Sequence, residues 1–310
     1  MGKHKKQQGA LNVLVTGGSG FLGSHIADAL TEAGHHVAIF DKKKSAFIKP
    51  GQDMIVGDIL HPQELSQAMK NMDAVFHLAA LADVDEACDN APDTMKINII
   101  GTTNVLEAAR QNNVRRVVFA STIYVYSRTG SFYRVSKHAC ELLLEAYNER
   151  YGLNYTILRF GTLYGTRANS SNSVFRYLQE AFKSGKIEFK GTGQEIREYV
   201  HVCDAADICV EVLEDEYKGQ TLILTGHHRM KLMELLDIIN EILGGKVKIR
   251  VNPEKSISHY IQTPYSYMPR IGKKIVMNTY CDLGQGLLEM IDEIDAEKRQ
   301  DTVIIDPAKE

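Results

Sequence analysis

The sequence lacks the features that would assign its 310 residues to a membrane, a disulfide-rich or a nucleic-acid-binding class. No apolar run approaches the roughly 18 residues that a membrane-spanning helix needs. The formal net charge is only −3, so the chain carries no overall basic field that would attract nucleic acid. These absences favour a small molecule as the binding partner, and they predict no membrane span and no nucleic-acid partner.

The cysteines are odd in number, and none has the C-x-x-C or cysteine/histidine spacing of a zinc site. They lie among apolar or helical-looking residues, which suits a reducing compartment. The N-terminus, Met1 to Gly9, is polar and basic and lacks the apolar core of a signal peptide. We therefore expect a cytoplasmic protein without a metal site, in which residues 1–10 form a disordered tail.

Apolar runs of strand length alternate with segments of helical periodicity along the first half of the chain. This alternation predicts an α/β fold with a doubly wound parallel sheet, which is Rossmann-like. A predicted helix and strand near residues 204–226 return to that sheet. We therefore predict a dinucleotide-binding domain of residues 11–168 plus 204–226, and a smaller C-terminal substrate lobe of residues 169–203 plus 227–310.

A glycine-rich segment, Thr16 to Gly23, separates the first predicted strand from the first predicted helix. Its glycines allow a tight turn and let backbone N–H groups approach a pyrophosphate at the positive end of the helix. Asp41 ends the next predicted strand, where a carboxylate accepts hydrogen bonds from ribose hydroxyls and repels a 2′-phosphate. The pattern predicts NAD in preference to NADP, although Lys42 to Lys44 follow directly and could offset that repulsion.

Tyr133 and Lys137 stand at positions i and i+4 of a predicted helix and so share one of its faces. An isolated tyrosine has a pKa of about 10, so a general base near pH 7 needs its pKa lowered by roughly three units. We expect the Lys137 ammonium and the positive charge of an oxidised nicotinamide to supply this. Ser121 and Thr122 end the preceding predicted strand, where a hydroxyl can reach the reacting oxygen. We predict Thr122, Tyr133 and Lys137 as catalytic residues and Ser121 as a substrate contact.

Six separated motifs form a set along the chain. They are the T-G-G-x-G-F-x-G turn at Thr16 to Gly23, Gly57-Asp58-Ile59, Val75 to Ala80, Asn98 with Gly101-Thr102, Tyr133 with Lys137, and Arg197 to Val202 before Asp204. Together they resemble the extended short-chain dehydrogenase/reductase family, specifically its NAD-dependent nucleotide-sugar epimerases and dehydratases. The resemblance covers nearly all of residues 11–300.

The resemblance implies a role for each matching residue. It implies that the cofactor contacts are Gly17, Gly20, Phe21, Leu22, Gly23, Asp41, Asp58, Ile59, Leu78, Ala79, Ala80, Asn98 and Lys137. Within that set Asp58 and Ile59 would line the adenine, and Lys137 would bind the nicotinamide ribose. Arg197 would contact the diphosphate or ribose of a nucleotide-sugar substrate, a role that suits its fixed guanidinium fork.

Two departures from the family bear on the reaction. Sugar 4,6-dehydratases carry Asp-Glu after the catalytic threonine, but Ile123 and Tyr124 stand here, which argues against water elimination. Only ten residues separate Thr122 from Tyr133, where the family has a longer loop over the sugar pocket. The site would then be open to a bulkier sugar or to a second small substrate. Alternatively, Tyr260, Tyr265 or Tyr267 fills the gap.

Two further segments do not decide which residues contact the substrate. Thr162 stands where many relatives have asparagine to hold the diphosphate, and Arg270, Lys273 and Lys274 are replacement candidates. The acidic residues at 83–89 could meet substrate hydroxyls or form a solvated helix start. We keep Thr162 and Arg270 as predicted substrate contacts and leave the nucleotide unnamed.

The sequence as a whole predicts an NAD-dependent oxidoreductase that acts by hydride transfer at C4 of a nucleotide sugar. It would be a 4-epimerase or a 4-dehydrogenase/4-keto-reductase of polysaccharide synthesis. The alternatives are a 4,6-dehydratase and a non-catalytic dinucleotide-sensing protein. The apolar faces of the predicted helices Ile97 to Asn112 and Tyr133 to Tyr151 favour a homodimer, because such helices commonly pair in this family.

Overall fold

The computed structural model describes residues 9–227, 229–252, 259–262 and 264. The strands, in chain order, are β1 (Asn12–Thr16), β2 (His36–Asp41), β3 (Gln52–Val56), β4 (Ala74–His77), β5 (Arg116–Thr122), β6 (Tyr155–Phe160), β7 (Thr162–Tyr164), β8 (Lys186–Lys190), β9 (Ile196–His201), β10 (Gln220–Leu224), β11 (Arg229–Lys231) and β12 (Lys248–Asn252). The α-helices are α1 (Phe21–Glu32), α2 (Pro62–Ala68), α3 (Val84–Asp89), α4 (Ala91–Met95), α5 (Gly101–Gln111), α6 (Ser131–Tyr151), α7 (Ser173–Ser184), α8 (Val202–Glu211) and α9 (Leu232–Ile242).

Seven strands form a parallel sheet in the order β10-β6-β5-β4-β1-β2-β3. Val13, Leu14 and Val15 of β1 are fully buried, because helices cover both faces of the sheet and strands there need no polar side. The strand order reverses at β1, and the crevice at the carboxyl end of such a switch point is where open α/β sheets bind ligands. The predicted Rossmann-like parallel sheet is confirmed.

Helices cover the two faces of the sheet through separate hydrophobic clusters. On one face Ile26 and Leu30 of α1 share a cluster with Ala205 and Cys209 of α8. On the other face the cluster draws on α2, α5 and α6, with Cys140 fully buried. The helix and strand expected near residues 204–226 are thus α8, which packs beside α1, and β10, which forms one edge of the sheet. Among the described residues, no helix combines the length and hydropathy of a membrane span.

A smaller hydrophobic cluster lies outside the sheet and joins α7, β8 and α9 through Tyr177, Ile187 and Leu236. β8 pairs with β12 in parallel, and β7, β9 and β11 form a short third sheet. The domain boundaries predicted from the sequence stay predictions. Residues 1–8 of the predicted tail and residues 265–310 of the predicted lobe lie outside the described residues.

The predicted helix at 97–112 is wrong at its start. Helical structure begins with α3 and α4, and residues Lys96–Ile100 then form a π-helical turn that leads into α5. Pro92 explains the new start, because it stands in the first turn of α4, where a missing N–H costs no hydrogen bond. The π-turn has no counterpart in the apolar pattern, which is why the sequence did not predict it.

Candidate active site

A cavity of about 2390 Å³ lies where β1, β4, β5 and β6 end. Its volume exceeds the roughly 300–1,000 Å³ of a typical site for one small molecule. The glycine turn lines one side of it, and Tyr124, Arg197 and Tyr260 line another. The cavity therefore has room for a dinucleotide and a second ligand together.

The glycine turn is packed too closely to carry side chains. Gly17 has φ +74°, and a Cβ there would lie 2.6 Å from the backbone nitrogen of Ala79. A Cβ on Gly23 would lie 2.3 Å from the carbonyl oxygen of Gly17. No side chain caps α1 at Gly20, so the N–H groups of its first turn are available to an anion. This cradle fits the pyrophosphate of a dinucleotide.

Asp41 closes the turn from the end of β2. One of its carboxylate oxygens accepts a hydrogen bond from the N–H of Ser19 at 3.1 Å, and the other accepts from the N–H of Lys43 at 3.1 Å. Lys42 instead pairs with Asp58, with Nζ 3.0 Å from Oδ2. Partial burial opposes the charge on Asp58, but the N–H of Leu60 and the Lys42 ammonium hold its pKa below the ordinary value. The Lys42 charge is therefore directed to Asp58 and does not cancel Asp41.

The other predicted cofactor contacts, with one exception, line the same cavity. They are Gly20, Phe21, Leu22, Asp58, Ile59, Leu78, Ala79, Ala80 and Lys137. The exception is Asn98, which is 1% exposed and does not line the cavity. Its amide accepts from the N–H of Leu81 at 2.8 Å and donates to the Leu81 carbonyl and to Ser136. Asn98 thus fixes the loop at Leu81 from behind the cavity wall, and its predicted contact with the cofactor stays a prediction.

Thr122, Tyr133 and Lys137 meet at the inner end of the cavity. The Thr122 hydroxyl is close enough to the Tyr133 phenol to lower its pKa. Lys137 Nζ donates to the carbonyl oxygen of Ala120 at 2.8 Å and lies 6.0 Å from the centre of the Tyr133 ring. The helical spacing and the strand end thus bring together the three residues that the sequence predicted.

The electrostatics of this trio differ from the prediction. Burial raises the pKa of Tyr133 to about 12, and the hydrogen bond with Thr122 only partly opposes that rise. Burial also lowers the pKa of Lys137 to about 8. The expected lowering of the Tyr133 pKa by Lys137 is therefore wrong for the chain alone, because desolvation penalises the charged form of both groups. At pH 7 Lys137 is charged and Tyr133 is neutral.

Ser121 lines the cavity, but its hydroxyl is used within the protein. It donates to Glu141, whose carboxylate also binds Arg159 with Oε2 at 2.6 Å from Nη2. Arg159 in turn contacts the Tyr126 hydroxyl. This buried network ties α6 to the carboxyl ends of β5 and β6. Direct contact of Ser121 with a substrate stays a prediction.

Arg197 and Thr162 both line the cavity. The Arg197 guanidinium lies 4.1 Å from the centre of the Tyr260 ring and donates to the carbonyl oxygens of Ile196 and Ile261. Thr162 is in register with Tyr199 of the neighbouring strand. Arg270, Lys273, Lys274, Tyr265 and Tyr267 lie outside the described residues.

Tyr260 occupies the space that the short segment after Thr122 leaves. It is 6% exposed, and its ring centre lies 4.8 Å from that of Tyr124. Gly130, with φ +93°, permits the short connection, because a Cβ there would lie 2.6 Å from the Tyr124 ring. Of the two sequence hypotheses for this gap, the structure supports filling by an aromatic side chain.

Sequence reasoning missed a set of three side chains beside Tyr133. The Tyr124 hydroxyl lies 2.6 Å from Nδ1 of His259, and Nε2 of His259 lies 3.6 Å from Oδ1 of Asp85. Tyr124 and His259 are 135 residues apart in the chain, so no local spacing signals the contact. The part of the chain that the structure describes contains no group of three His, Cys, Asp or Glu side chains placed to hold a metal ion.

The model of the NAD dependent epimerase/dehydratase family matches residues 13–224 of this chain, well over half of its length. The chain belongs to this family. It is an NAD-dependent enzyme of the extended short-chain dehydrogenase/reductase type, with the Rossmann-like fold of that group. The glycine cradle and the Tyr133–Lys137 pair described above both lie within the matched residues.

Three similar proteins show how far reactions diverge on this fold. A UDP-N-acetyl-alpha-D-glucosaminuronate decarboxylase of Bacillus cytotoxicus is 28% identical over 287 residues, which cover 84% of this chain and 89% of that protein. A dTDP-glucose 4,6-dehydratase of Mycobacterium tuberculosis is 27% identical over 246 residues, covering 69% and 72%. The structure of the UDP-glucose 4-epimerase of Thermus thermophilus with NAD is 25% identical, with a TM-score of 0.76 and coverage of 85% and 95%. Membership of the family therefore identifies the cofactor as NAD but does not identify the reaction.

Proposed function

We propose that this enzyme oxidises the C4 hydroxyl of a nucleotide-linked sugar, as a 4-epimerase or a 4-dehydrogenase/4-keto-reductase. One observation carries the proposal. Thr122, Tyr133 and Lys137 line the same cavity as the glycine cradle. Relatives named for nucleotide-sugar epimerisation, decarboxylation and dehydration support the substrate class.

The residues that would hold NAD are the cavity-lining members of the predicted set. NAD, when bound, takes up the two electrons and the hydrogen that C4 loses, and it can return them. The backbone of the turn from Gly17 to Gly23 would hold the pyrophosphate, and the Asp41 carboxylate would accept the ribose hydroxyls. Lys137 would donate to the second ribose from the inner end of the cavity.

The proton chemistry falls to Tyr133 and Thr122. The oxygen of Tyr133 accepts the proton of the C4 hydroxyl, while the Thr122 hydroxyl orients that oxygen by a hydrogen bond. Because burial holds the pKa of Tyr133 near 12, the phenolate is scarce at pH 7 in the chain alone. The charged Lys137, which keeps its proton below a pKa of about 8, offsets part of that cost when the phenolate forms.

The site favours oxidation and reduction over water elimination. Elimination needs an acid beside the leaving hydroxyl, and Ile123 is 1% exposed and carries none. A purely sensing protein would not need the buried Lys137, whose desolvation is unfavourable. Neither alternative gains support from a specific contact.

The substrate contacts in the cavity are proposed to be Arg197 and Thr162. Arg197 is stacked on Tyr260, and among the described residues it donates through Nη1, so the other N–H groups of its fork are proposed donors for a diphosphate. Arg270 stays a prediction.

The experiment is a survey of UDP-, GDP-, dTDP- and ADP-sugars with the purified enzyme. It follows the absorbance of reduced nicotinamide and, by NMR, the configuration at C4. We expect a new C4 epimer or a 4-keto sugar with one nucleotide class. Net formation of NADH without an added oxidant would exclude a self-contained epimerase, and no change at C4 with any sugar would refute the proposal.

We also propose that the enzyme is a homodimer that pairs through α6. The exposed face of this helix carries Phe132, Val135 and Leu142, which are 39%, 44% and 54% exposed. Ile100, beside it, is 53% exposed. Apolar side chains in such a row favour burial against a second copy. Sedimentation should show a dimer that Leu142→Glu converts to a monomer, and an unchanged dimer would contradict this interface.

A further inference from the structure

Tyr124, His259 and Asp85 form a continuous chain of polar groups that the proposed C4 chemistry does not use. The contacts join the phenol to the imidazole at 2.6 Å and the imidazole to the carboxylate at 3.6 Å. All three residues line the cavity that also contains Tyr133. They come from three separate segments, the 3-10 turn after β5, the segment at 259–262 and the first turn of α3.

The protons of this chain have defined places. Burial lowers the pKa of His259; Asp85 opposes this shift, and the charges of Arg197 and Arg176 add to it. The lowered pKa favours the neutral imidazole at pH 7, and we assign its proton to Nε2, which faces Asp85, so that Nδ1 accepts from the Tyr124 hydroxyl. Burial raises the pKa of Tyr124, so its hydroxyl passes a proton on in preference to ionising alone.

Packing fixes the Tyr124 ring against the reacting centre. Its centre lies 6.2 Å from that of Tyr133 in a T-shaped arrangement, and 4.8 Å from that of Tyr260. Arg197 stacks on the other partner, Tyr260. The Tyr124 ring is thus held beside Tyr133, but the Tyr124 hydroxyl is hydrogen-bonded to His259.

We propose that Tyr124 is a second acid–base residue, which exchanges the proton on a carbon next to the C4 carbonyl, with His259 and Asp85 as its positioning residues. This rests on the proposed function, because oxidation at C4 creates that carbonyl and acidifies the hydrogens at C3 and C5. Oxidation at C4 makes no other hydrogen of the sugar acidic. An acid–base residue separate from Tyr133 would therefore act on the hydrogens at C3 or C5.

The step balances without an oxidant. The Tyr124 oxygen takes the proton from C3 or C5 while its own hydroxyl proton moves to Nδ1 of His259. The electron pair of the broken C–H bond forms the enolate C=C bond, and the negative charge passes to the C4 oxygen beside Thr122 and Tyr133. The new imidazolium is balanced by Asp85. Reversal returns a proton to the same carbon, and the sugar then carries hydrogen from solvent.

The test supplies the ketone directly, so it does not depend on oxidation at C4. The NAD-loaded enzyme is incubated in D2O with UDP-, dTDP- and GDP-linked 4-keto-6-deoxyglucose, and deuterium at C3 and C5 is followed by NMR. We expect the wild type to incorporate deuterium at one of these carbons about tenfold or more above the enzyme-free rate. Incorporation at the enzyme-free rate with all three probes would overturn the proposal.

The variants assign the exchange to Tyr124. Tyr124→Phe and His259→Gln should each lower the rate of incorporation by about tenfold or more. The matched control is Tyr126→Phe, which removes a phenol from the same turn that contacts Arg159 and does not line the cavity. Equal losses in the control and in Tyr124→Phe, or full exchange in Tyr124→Phe, would overturn the assignment.

The same measurement separates the two proposals. An enzyme that exchanges deuterium into the supplied ketone but changes no sugar at C4 retains this inference and refutes the proposed function. An enzyme that oxidises C4 but gives no exchange does the reverse.

Discussion

The cavity has a turn side, built from the glycine segment at 17–23 with Asp41, and an aromatic side, built from Tyr124, Arg197 and Tyr260. Backbone atoms form the close contacts of the glycine segment on the turn side, including the contact between Gly17 and Ala79. Side chains form the aromatic side, and two of them, Tyr124 and Tyr260, are 136 positions apart in the chain. The turn side should therefore tolerate almost no added atom, whereas the aromatic side can change its side chains and, with them, the ligand that it accepts.

Tyr133 lies between the two sides, and its loss should have the largest effect. Tyr133→Phe removes the proposed base and should lower kcat by about 10²–10⁴-fold. NAD affinity should stay within about twofold, because none of the turn-side contacts changes. Steady-state kinetics and calorimetric titration with NAD measure the two quantities, and full activity in this variant would refute the mechanism.

Gly23→Ala tests the turn side. The new Cβ would lie 2.3 Å from the Gly17 carbonyl oxygen, a backbone atom that cannot move aside cheaply. We expect a loss of about 1–3 kcal/mol in the free energy of unfolding and a weaker Kd for NAD. Gly20→Ala is the control for the free energy of unfolding alone, since its Cβ would lie 3.2 Å from the same oxygen and its φ of −79° suits alanine. Equal effects of the two substitutions would argue against close packing as the cause.

Lys137→Met should separate stability from activity. Burial lowers the pKa of Lys137 to about 8, so in the wild type the unfolded chain binds more protons than the folded one between pH 8 and the ordinary lysine value. Wild-type stability should therefore rise with pH across that window, and the variant should lack this slope. At pH 7 the variant should lose activity and be more stable, by about 1–3 kcal/mol. Urea unfolding at pH 7 and pH 10 checks this, and parallel curves for the two proteins would contradict it.

Arg197→Lys is the mildest change and concerns the aromatic side alone. Lysine keeps the charge but loses the planar fork that stacks on Tyr260 at 4.1 Å. We expect KM for the nucleotide sugar to rise about tenfold, at unchanged affinity for NAD. A weaker Kd for NAD would show that a change on the aromatic side alters cofactor binding on the turn side. It would contradict the independence of the two sides.

The same contrast explains what the sequence could predict. The glycine turn, Asp41 and the Tyr133–Lys137 pair depend on short spacings and on strand ends, and the structure places them together. The bond between Asn98 and Leu81 could not be predicted, because the two residues come from different segments of the chain. The raised pKa of Tyr133 follows from burial, which no spacing encodes. His259 carried no local signal and entered the site only through the fold.

The π-helical turn at Lys96–Ile100 contributes Ile97 to the cavity wall and carries Asn98, which holds the loop at Leu81. An α-helix advances by about 100° per residue, so removing one residue from the turn would let α4 and α5 merge and would rotate Asn98 away from the Leu81 peptide. The loop that Asn98 fixes from behind would be released, and Ile97, which lines the cavity from the same turn, would rotate with it. A change of one residue in chain length could thus reshape the pocket where no substitution within it had occurred.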